Sequence, residues 1–415
     1  MGKVLRVLLI AYACEPNKGS EPGVGWNWAT SLSRHCHVTI LTRLNNKEAV
    51  EKELERCRIE NLNFIYYDIP FFVELKRWHI ISITIYYILW LIYSVRFIRR
   101  NRLENDFDLI HHLTINTFQV PVPIYKLTPS SVWGPVGGGI VAPLFAFFHL
   151  GFFYGIAESL RTLITTIGRY RPAIIRALKG YKKVIFANNE TAQFLIHMNG
   201  NAPVHLETGV AESDVNNDFR NYALNDPSSV RILFVGALIP RKGLHILLDA
   251  CSKLDDSFHL TIIGKGPLAD MMKKVVRKKG LTSSVTFEGF IQHNKLHEFY
   301  QTHDVFVFPS IRDTSGNVVL EAMASGLPVI TFDHHGMKDI LDSSCGIKIP
   351  VQSYDQMVQD LVHAIHTLAG DEKLRSSYGV NAIKRIKSMY LWEQKAKWMF
   401  QIYMDTINAP SANSQ

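Results

Sequence analysis

Short apolar runs rich in β-branched residues recur along this chain, separated by stretches long enough for a helix. They occupy residues 4–12, 37–42, 63–68, 107–112, 183–187, 231–236, 258–264, 285–288, 305–308 and 327–331. Most lack a polar/apolar alternation, which is the pattern of a strand buried on both faces. Strand and helix in turn at this spacing predict an α/β chain built on parallel, doubly wound sheets. A length of 415 residues predicts two or three domains, each large enough for a core of its own. The polar stretch 213–229 reads as loop and linker, with a new sheet starting at Arg231.

Composition narrows the class. Hydrophobic residues at 47% and charged residues at 20% exclude wholesale disorder. A net charge of +8 predicts a polyanionic partner, whether phosphates, an anionic membrane face or nucleic acid. Lys273, Lys274, Arg277, Lys278 and Lys279 have no aromatic residues among them. They read as a solvated face rather than a nucleic-acid site. The five cysteines, at 14, 36, 57, 251 and 345, form no CxxC pair. Their scatter suits a reducing cytosol and argues against a structural zinc. The apolar start, 4–11, runs into CEPNKGSEPG rather than a cleavage site, so it reads as strand and not as a secretory leader.

Residues 305–331, VFVFPSIRDTSGNVVLEAMASGLPVIT, concentrate the candidate chemistry. A buried strand ends at Pro309 and Ser310, a polar loop follows at 313–317, and a short helix runs to Ser325, where Gly326 suits a left-handed cap. A loop feeding a helix at the carboxyl end of a parallel strand is where α/β sheets bind ligands. Backbone N–H groups at Gly316, Asn317 and Val318, with the helix dipole, would favour a phosphate. Glu321, eight residues after Asp313, lies within reach of the helix mouth and suits sugar hydroxyls better than phosphate.

The stretch EAMASGLPV, residues 321–329, resembles the signature of glycosyltransferase family 4, retaining enzymes of the two-domain GT-B fold. The resemblance implies two Rossmann-like, doubly wound parallel-sheet domains with the active site in the cleft between them. It also implies a C-terminal helix that crosses back to the first domain. Glu321 would bind the ribose of a nucleotide-sugar, and Asp313 would face the transferred sugar. The family carries Glu where this chain has Asp313, a side chain one methylene shorter. Arg241 and Lys242, in the turn after strand 231–236, resemble the family's diphosphate clamp, with Ala237 standing where the family often has arginine. Preorganised cations of this kind stabilise the charge that develops on a departing nucleoside diphosphate. Gly264 and Gly266, in Gly-Lys-Gly-Pro, resemble the loop near the nucleotide base, and the Gly336-containing segment 333–338 reads as a loop that could touch the donor. The likeness is specific over 231–345 and loose before 205.

In the first half, Gly19, Gly23 and Gly25 punctuate the loop after the first strand, and a helix is expected from Gly23 onward. As a dinucleotide fingerprint this has the wrong spacing. The family resemblance makes Glu21, Gly23 and Gly25 cleft residues. His111 and His112 end a strand, where binding groups gather, and alternation points them to opposite faces. Some family members place a catalytic histidine near the next strand end, where this chain has Trp133 and Gly134 in a loop expected at 133–139. His112 is therefore the candidate base.

Residues 80–95 carry no charge, with Lys76 and Arg77 before them and Arg96, Arg99, Arg100 and Arg102 after. The run is short for a bilayer crossing of about 20 residues. It reads as a helix in the membrane interface, with burial between sheet and neighbours as the alternative. Residues 140–156, with five phenylalanines, add a second apolar surface.

The expected organisation is a first domain at 1–210 facing acceptor and membrane, a nucleotide-sugar domain at 211–390, and a returning helix at 391–415. The expected activity is retaining, metal-independent transfer of a hexose. The donor would be a UDP- or GDP-sugar used as co-substrate, with no cofactor. The acceptor would be a lipid-linked intermediate or surface polysaccharide, and the protein peripheral on the inner face of the cytoplasmic membrane. Two alternatives share the donor site: an inactive nucleotide-sugar-binding partner protein, and a GT-B epimerase.

Overall fold

The computed structural model describes residues 4–77, 82–115, 117–128, 130–199, 202–216, 222, 229–255 and 258–409. Contacts divide the chain into two compact units. One comprises Met1–Gly139, Ile167–Glu207 and Trp392–Gln415, the other Ile140–Thr166 and Thr208–Leu391. Where the sequence reading drew one boundary near residue 210, residues 140–166 pack with the second unit.

The first unit holds β1 (Arg6–Ile10), β2 (His37–Thr42), β3 (Leu62–Tyr66), β4 (Leu109–His112), β5 (Ser131–Val136) and β6 (Lys183–Phe186). They form one parallel sheet in the order β3-β2-β1-β4-β5-β6. The second holds β7 (Val230–Val235), β8 (Phe258–Ile263), β9 (Val285–Gly289), β10 (Val305–Phe308), β11 (Val329–Phe332) and β12 (Gly346–Ile349). Its order is β12-β11-β10-β7-β8-β9, again parallel. Central strands such as β10, wholly buried, explain the continuous apolar runs, because helices cover both faces. In the second sheet the winding reverses between β7 and β10, and a ligand crevice forms outside the carboxyl ends at such a point.

Three local expectations are corrected. The first helix is Ser20–Leu32, beginning ahead of Gly23. A Cβ on Gly23 would lie 1.9 Å from the Lys18 carbonyl oxygen, and one on Gly25 2.1 Å from that of Ala13. These glycines serve the packing of helix on loop. The expected loop at 133–139 is strand through Val136, with the pairing to β6 shifting register between Trp133 and Val136. Residues His335–Ile340 are helix where a loop was expected.

Of the apolar run at 80–95, residues 80 and 81 lie outside the described residues. The Ile83–Arg100 helix, capped by Ser82 accepting from the Ile85 N–H, turns Tyr86, Tyr87, Trp90, Leu91, Val95 and Ile98 into the core of the first unit. Its aromatic polar groups are satisfied inside: Trp90 Nε1 donates to Tyr67 O at 2.8 Å, and the Tyr87 hydroxyl to Ile115 O at 2.7 Å. One face of the run is thus core, while Ile85 and Ile92 on the other stay exposed.

The second apolar stretch forms two helices, Leu144–Leu150 and Phe152–Gly168, parted by Gly151 at φ 155°. Ala142, Ala146, Phe147 and Leu150 join the core of the second unit. His245 Nε2 lies 3.1 Å from Ala146 O, and the His149 ring stacks on Tyr354 at 3.5 Å. The C-terminal helix, Trp392–Asn408, returns to the first unit as expected. There Trp392 meets Trp28 edge to face, and Arg34 Nη1 donates to Glu393 at 3.0 Å. Among the described residues no helix is long and apolar enough to cross a membrane.

Candidate active site

The loops after β7 and β10, adjacent strands at the reversal of winding, are joined backbone to backbone. Ile311 N–H donates to Arg241 O at 2.9 Å, and Ser310 Oγ donates to the same carbonyl at 3.1 Å. Gly243, at φ 68°, permits this approach: a Cβ there would lie 1.9 Å from Pro309 O. The turn Pro240–Lys242 is thereby pressed against 310–313, although Lys242 and Asp313 are 71 residues apart.

The side chains follow. Lys242 Nζ donates to Asp313 Oδ2, and Arg241 Nη1 lies 3.4 Å from the same oxygen. Arg241 Nη1 also donates to Arg312 O at 3.0 Å, and Ser310 Oγ to Asp313 Oδ2 at 3.4 Å. Burial by itself would raise the Asp313 carboxyl's pKa, but Lys242 and Arg241 outweigh it and hold the group below its ordinary value. Burial pulls the Lys242 ammonium down, against the opposing pull of Asp313. Lys242 Nζ also sits 4.7 Å from the Phe308 ring centroid. The arrangement is a partly buried, preorganised pair of cations countered in part by one carboxylate.

The helix Asn317–Ala324 begins beside it, with Gly316 at φ 54° as its cap. A Cβ on Gly316 would lie 2.2 Å from Met337 Cε, and one on Gly336 1.9 Å from Thr314 O. The His335–Ile340 helix therefore braces the 313–316 loop, with Gly336 N–H donating to Asp313 O at 3.2 Å. N–H groups of Asn317 and Val318 lie in the first turn, where a helix offers donors and positive potential to an anion.

Glu321, one turn on, accepts from Tyr300 OH at 2.9 Å and lies 3.1 Å from His293 Nε2. The hydrogen bond to Glu321 raises the His293 pKa above its ordinary value. A carboxylate has about four acceptor sites, so two such bonds leave capacity for a diol. The turn after β8 is equally tight. Gly264, at φ 143°, stands where a Cβ would be 1.9 Å from Gly236 O, and a Cβ on Gly266 would be 2.4 Å from Leu238 O.

The second unit thus brings together Arg241, Lys242, Gly264, Gly266, Asp313, Gly316, Asn317, Val318 and Glu321. The other two sequence candidates, His112 and Gly23, belong to the first unit. His112 is buried at the end of β4, its pKa pushed down to about 3 by burial and by His111. His111 Nδ1 lies 2.6 Å from Tyr403 OH, and Nε2 2.7 Å from Gly134 O. Burial raises the pKa of Glu21, beside Gly23, and its Oε2 accepts from Ile115 N–H at 3.1 Å.

Sequence reasoning missed Tyr300, His293, Glu158 and Arg312 at the site. Tyr300 and His293 hold Glu321 from a neighbouring helix and turn. Glu158, buried, lies 3.2 Å from Arg312 Nε and accepts from Arg161 Nε at 2.6 Å. Burial and Arg161 push the Arg312 pKa down to about 10. No local motif marks these residues, because each acts across a long sequence separation.

Residues 215–385 match the sequence profile of the family described as Glycosyl transferases group 1. Over 233 residues the chain is 28% identical to an uncharacterized glycosyltransferase of Methanocaldococcus jannaschii, covering 55% of this chain and 58% of that protein. The chain therefore spans less than two thirds of that curated relative. Among solved structures, sucrose-phosphate synthase from Thermosynechococcus elongatus superposes with a TM-score of 0.68 at 19% identity, covering 98% of this chain and 100% of that one. Anabaena HepE in complex with UDP gives 0.65 at 14% identity, covering 97% and 100%. At these identities the likeness is one of fold: two Rossmann-like units of the GT-B class.

Proposed function

We propose that this group 1 chain is a retaining glycosyltransferase that moves a sugar from a UDP- or GDP-linked donor to an acceptor hydroxyl. The Lys242–Asp313–Arg241 cluster beside the start of the Asn317–Ala324 helix carries the reading. As the bond from anomeric carbon to diphosphate breaks, negative charge grows on the phosphate oxygens. Arg241, Lys242 and the first N–H groups of that helix offer fixed positive potential for it in a partly buried site. Glu321, held by Tyr300 and His293, is oriented to accept from the ribose hydroxyls. Asp313 gives the cluster a carboxylate that can face the transferred sugar once the diphosphate shares its cations.

With two side-chain cations on the diphosphate, the reaction we propose needs no metal. The acceptor in this reading is a lipid-linked intermediate or surface polysaccharide at the inner face of the cytoplasmic membrane. The apolar, basic character of the chain supports it, and the UDP-bound HepE neighbour supports the donor class.

Donor hydrolysis across a panel of UDP- and GDP-sugars, with and without EDTA, is the test. The expected result is slow, EDTA-insensitive turnover of one donor, lost in Lys242→Ala. Binding without turnover of any donor would leave an inactive nucleotide-sugar-binding protein, and donor isomerisation without transfer would identify an epimerase.

A further inference from the structure

The Phe152–Gly168 helix has two opposed faces. On the inner one, Glu158 lies between Arg161 and Arg312, and Arg161 Nη2 donates to Ile140 O at 3.2 Å. The outer face carries Phe152, Phe153, Ile156, Leu160, Leu163 and Ile164, all exposed, with Phe153 at 85% and Phe152 at 67%. Their spacing of three and four residues makes one continuous apolar stripe. Phe145 and Phe148 of the preceding helix are exposed as well. A stripe of this size left in water marks an interaction surface.

Charge points to what covers it. Between residues 140 and 180 Glu158 is the sole acid, and its charge is already met by Arg161 and Arg312. Arg169, Arg171, Arg176 and Lys179 follow, of which Arg171, Arg176 and Lys179 are exposed. The stripe itself offers only phenyl and aliphatic groups, without the hydrogen-bonding groups that a protein interface interleaves with its apolar core. An apolar helical face with Arg169 and Arg171 directly after its C-terminal end suits the boundary between acyl chains and anionic headgroups. Seventeen residues at about 1.5 Å each give roughly 25 Å, short of a bilayer core, and the inner face is occupied by protein. A helix of this kind would lie in the interface plane.

We propose that the outer face of Phe152–Gly168, extended by Phe145 and Phe148, docks this protein on an anionic lipid bilayer. The same helix holds, through Glu158, the Arg312 that precedes Asp313. Resting on the glycosyl-transfer reading, this keeps the loop at the sugar-transfer site next to the surface that carries a lipid-linked acceptor.

The full chain should float with vesicles of phosphatidylcholine plus phosphatidylglycerol at low salt, much less with phosphatidylcholine alone, and release at about 0.5 M NaCl. Phe152→Asp together with Phe153→Asp should lower the bound fraction at least about tenfold. Circular dichroism and UDP calorimetry should show the variant folded, because both side chains are exposed. Flotation needs no turnover, so it succeeds or fails independently of the catalytic reading. A wild type that stays at the bottom, or a double variant that floats equally well, overturns the proposal. Concentration-dependent dimerisation abolished by the same variant, without vesicle binding, would assign the face to a second copy of this chain instead.

Discussion

Asp313 and its two cations set the energetics of the site. A carboxyl whose folded pKa is depressed contributes stability above its unfolded value near 3.9, lost as pH falls through the folded value. Asp313→Asn should remove that part of the acid limb, seen as a flatter melting temperature between about pH 5 and 3. It should also lower stability at neutral pH by roughly 1–3 kcal/mol, since two cations lose their counter-charge in a partly buried place. Glu321→Ala should weaken UDP or GDP binding by about 1.5–3 kcal/mol in calorimetry, the worth of charged hydrogen bonds. Unchanged affinity would remove the ribose role. Lys242→Ala should lower the transfer rate more than it lowers affinity for the free nucleotide, because charge on the diphosphate peaks as the bond breaks.

Turns, more than strands or helices, decide this site. Gly243 and Gly280 both adopt positive φ, 68° and 73°. A Cβ at Gly243 would collide with Pro309 O, while one at Gly280 would meet nothing within 4 Å. Gly280→Ala should therefore lower stability by about 1 kcal/mol, the intrinsic penalty of that conformation. Gly243→Ala should lose more, on the order of 2–4 kcal/mol. It should lose nucleotide affinity as well, since the clamp and the Asp313 loop would part. Thermal melts of the two variants side by side separate backbone strain from broken contact; equal shifts would refute the role given to Gly243.

Across the whole chain, the returning helix Trp392–Asn408 carries a buried cation into the first unit. Lys395 Nζ donates to Leu206 O at 2.5 Å and sits 5.4 Å from the Trp28 ring centroid. Burial pushes its pKa down to about 7. From about pH 7 to 10 the unfolded chain then binds more protons at this site than the folded one, so stability rises with pH, by at most ~1.4 kcal/mol per unit. Below that window the burial penalty is constant. Lys395→Met should flatten the rise between neutral and alkaline pH in a melting-temperature series. A variant with the wild-type slope would show that the ammonium keeps its ordinary pKa.

The strand–helix alternation was enough to establish two parallel doubly wound sheets. A strand buried on both faces must be apolar throughout, and that is written locally. The 313–321 stretch was legible for the same reason: loop, cap and carboxylate follow one another in the chain. What joins it to Lys242, to Tyr300 and His293 on Glu321, and to Glu158 on Arg312 was not legible, because those pairs are made by folding. The two apolar stretches show the limit most sharply. Residues 80–95 and 140–156 look alike in hydropathy, yet one became a helix with one face in the core and the other led into a helix with its apolar face in water. Hydropathy records what a side chain would lose in water. Which residues are in fact removed from it depends on what packs against them, and only the tertiary structure decides that.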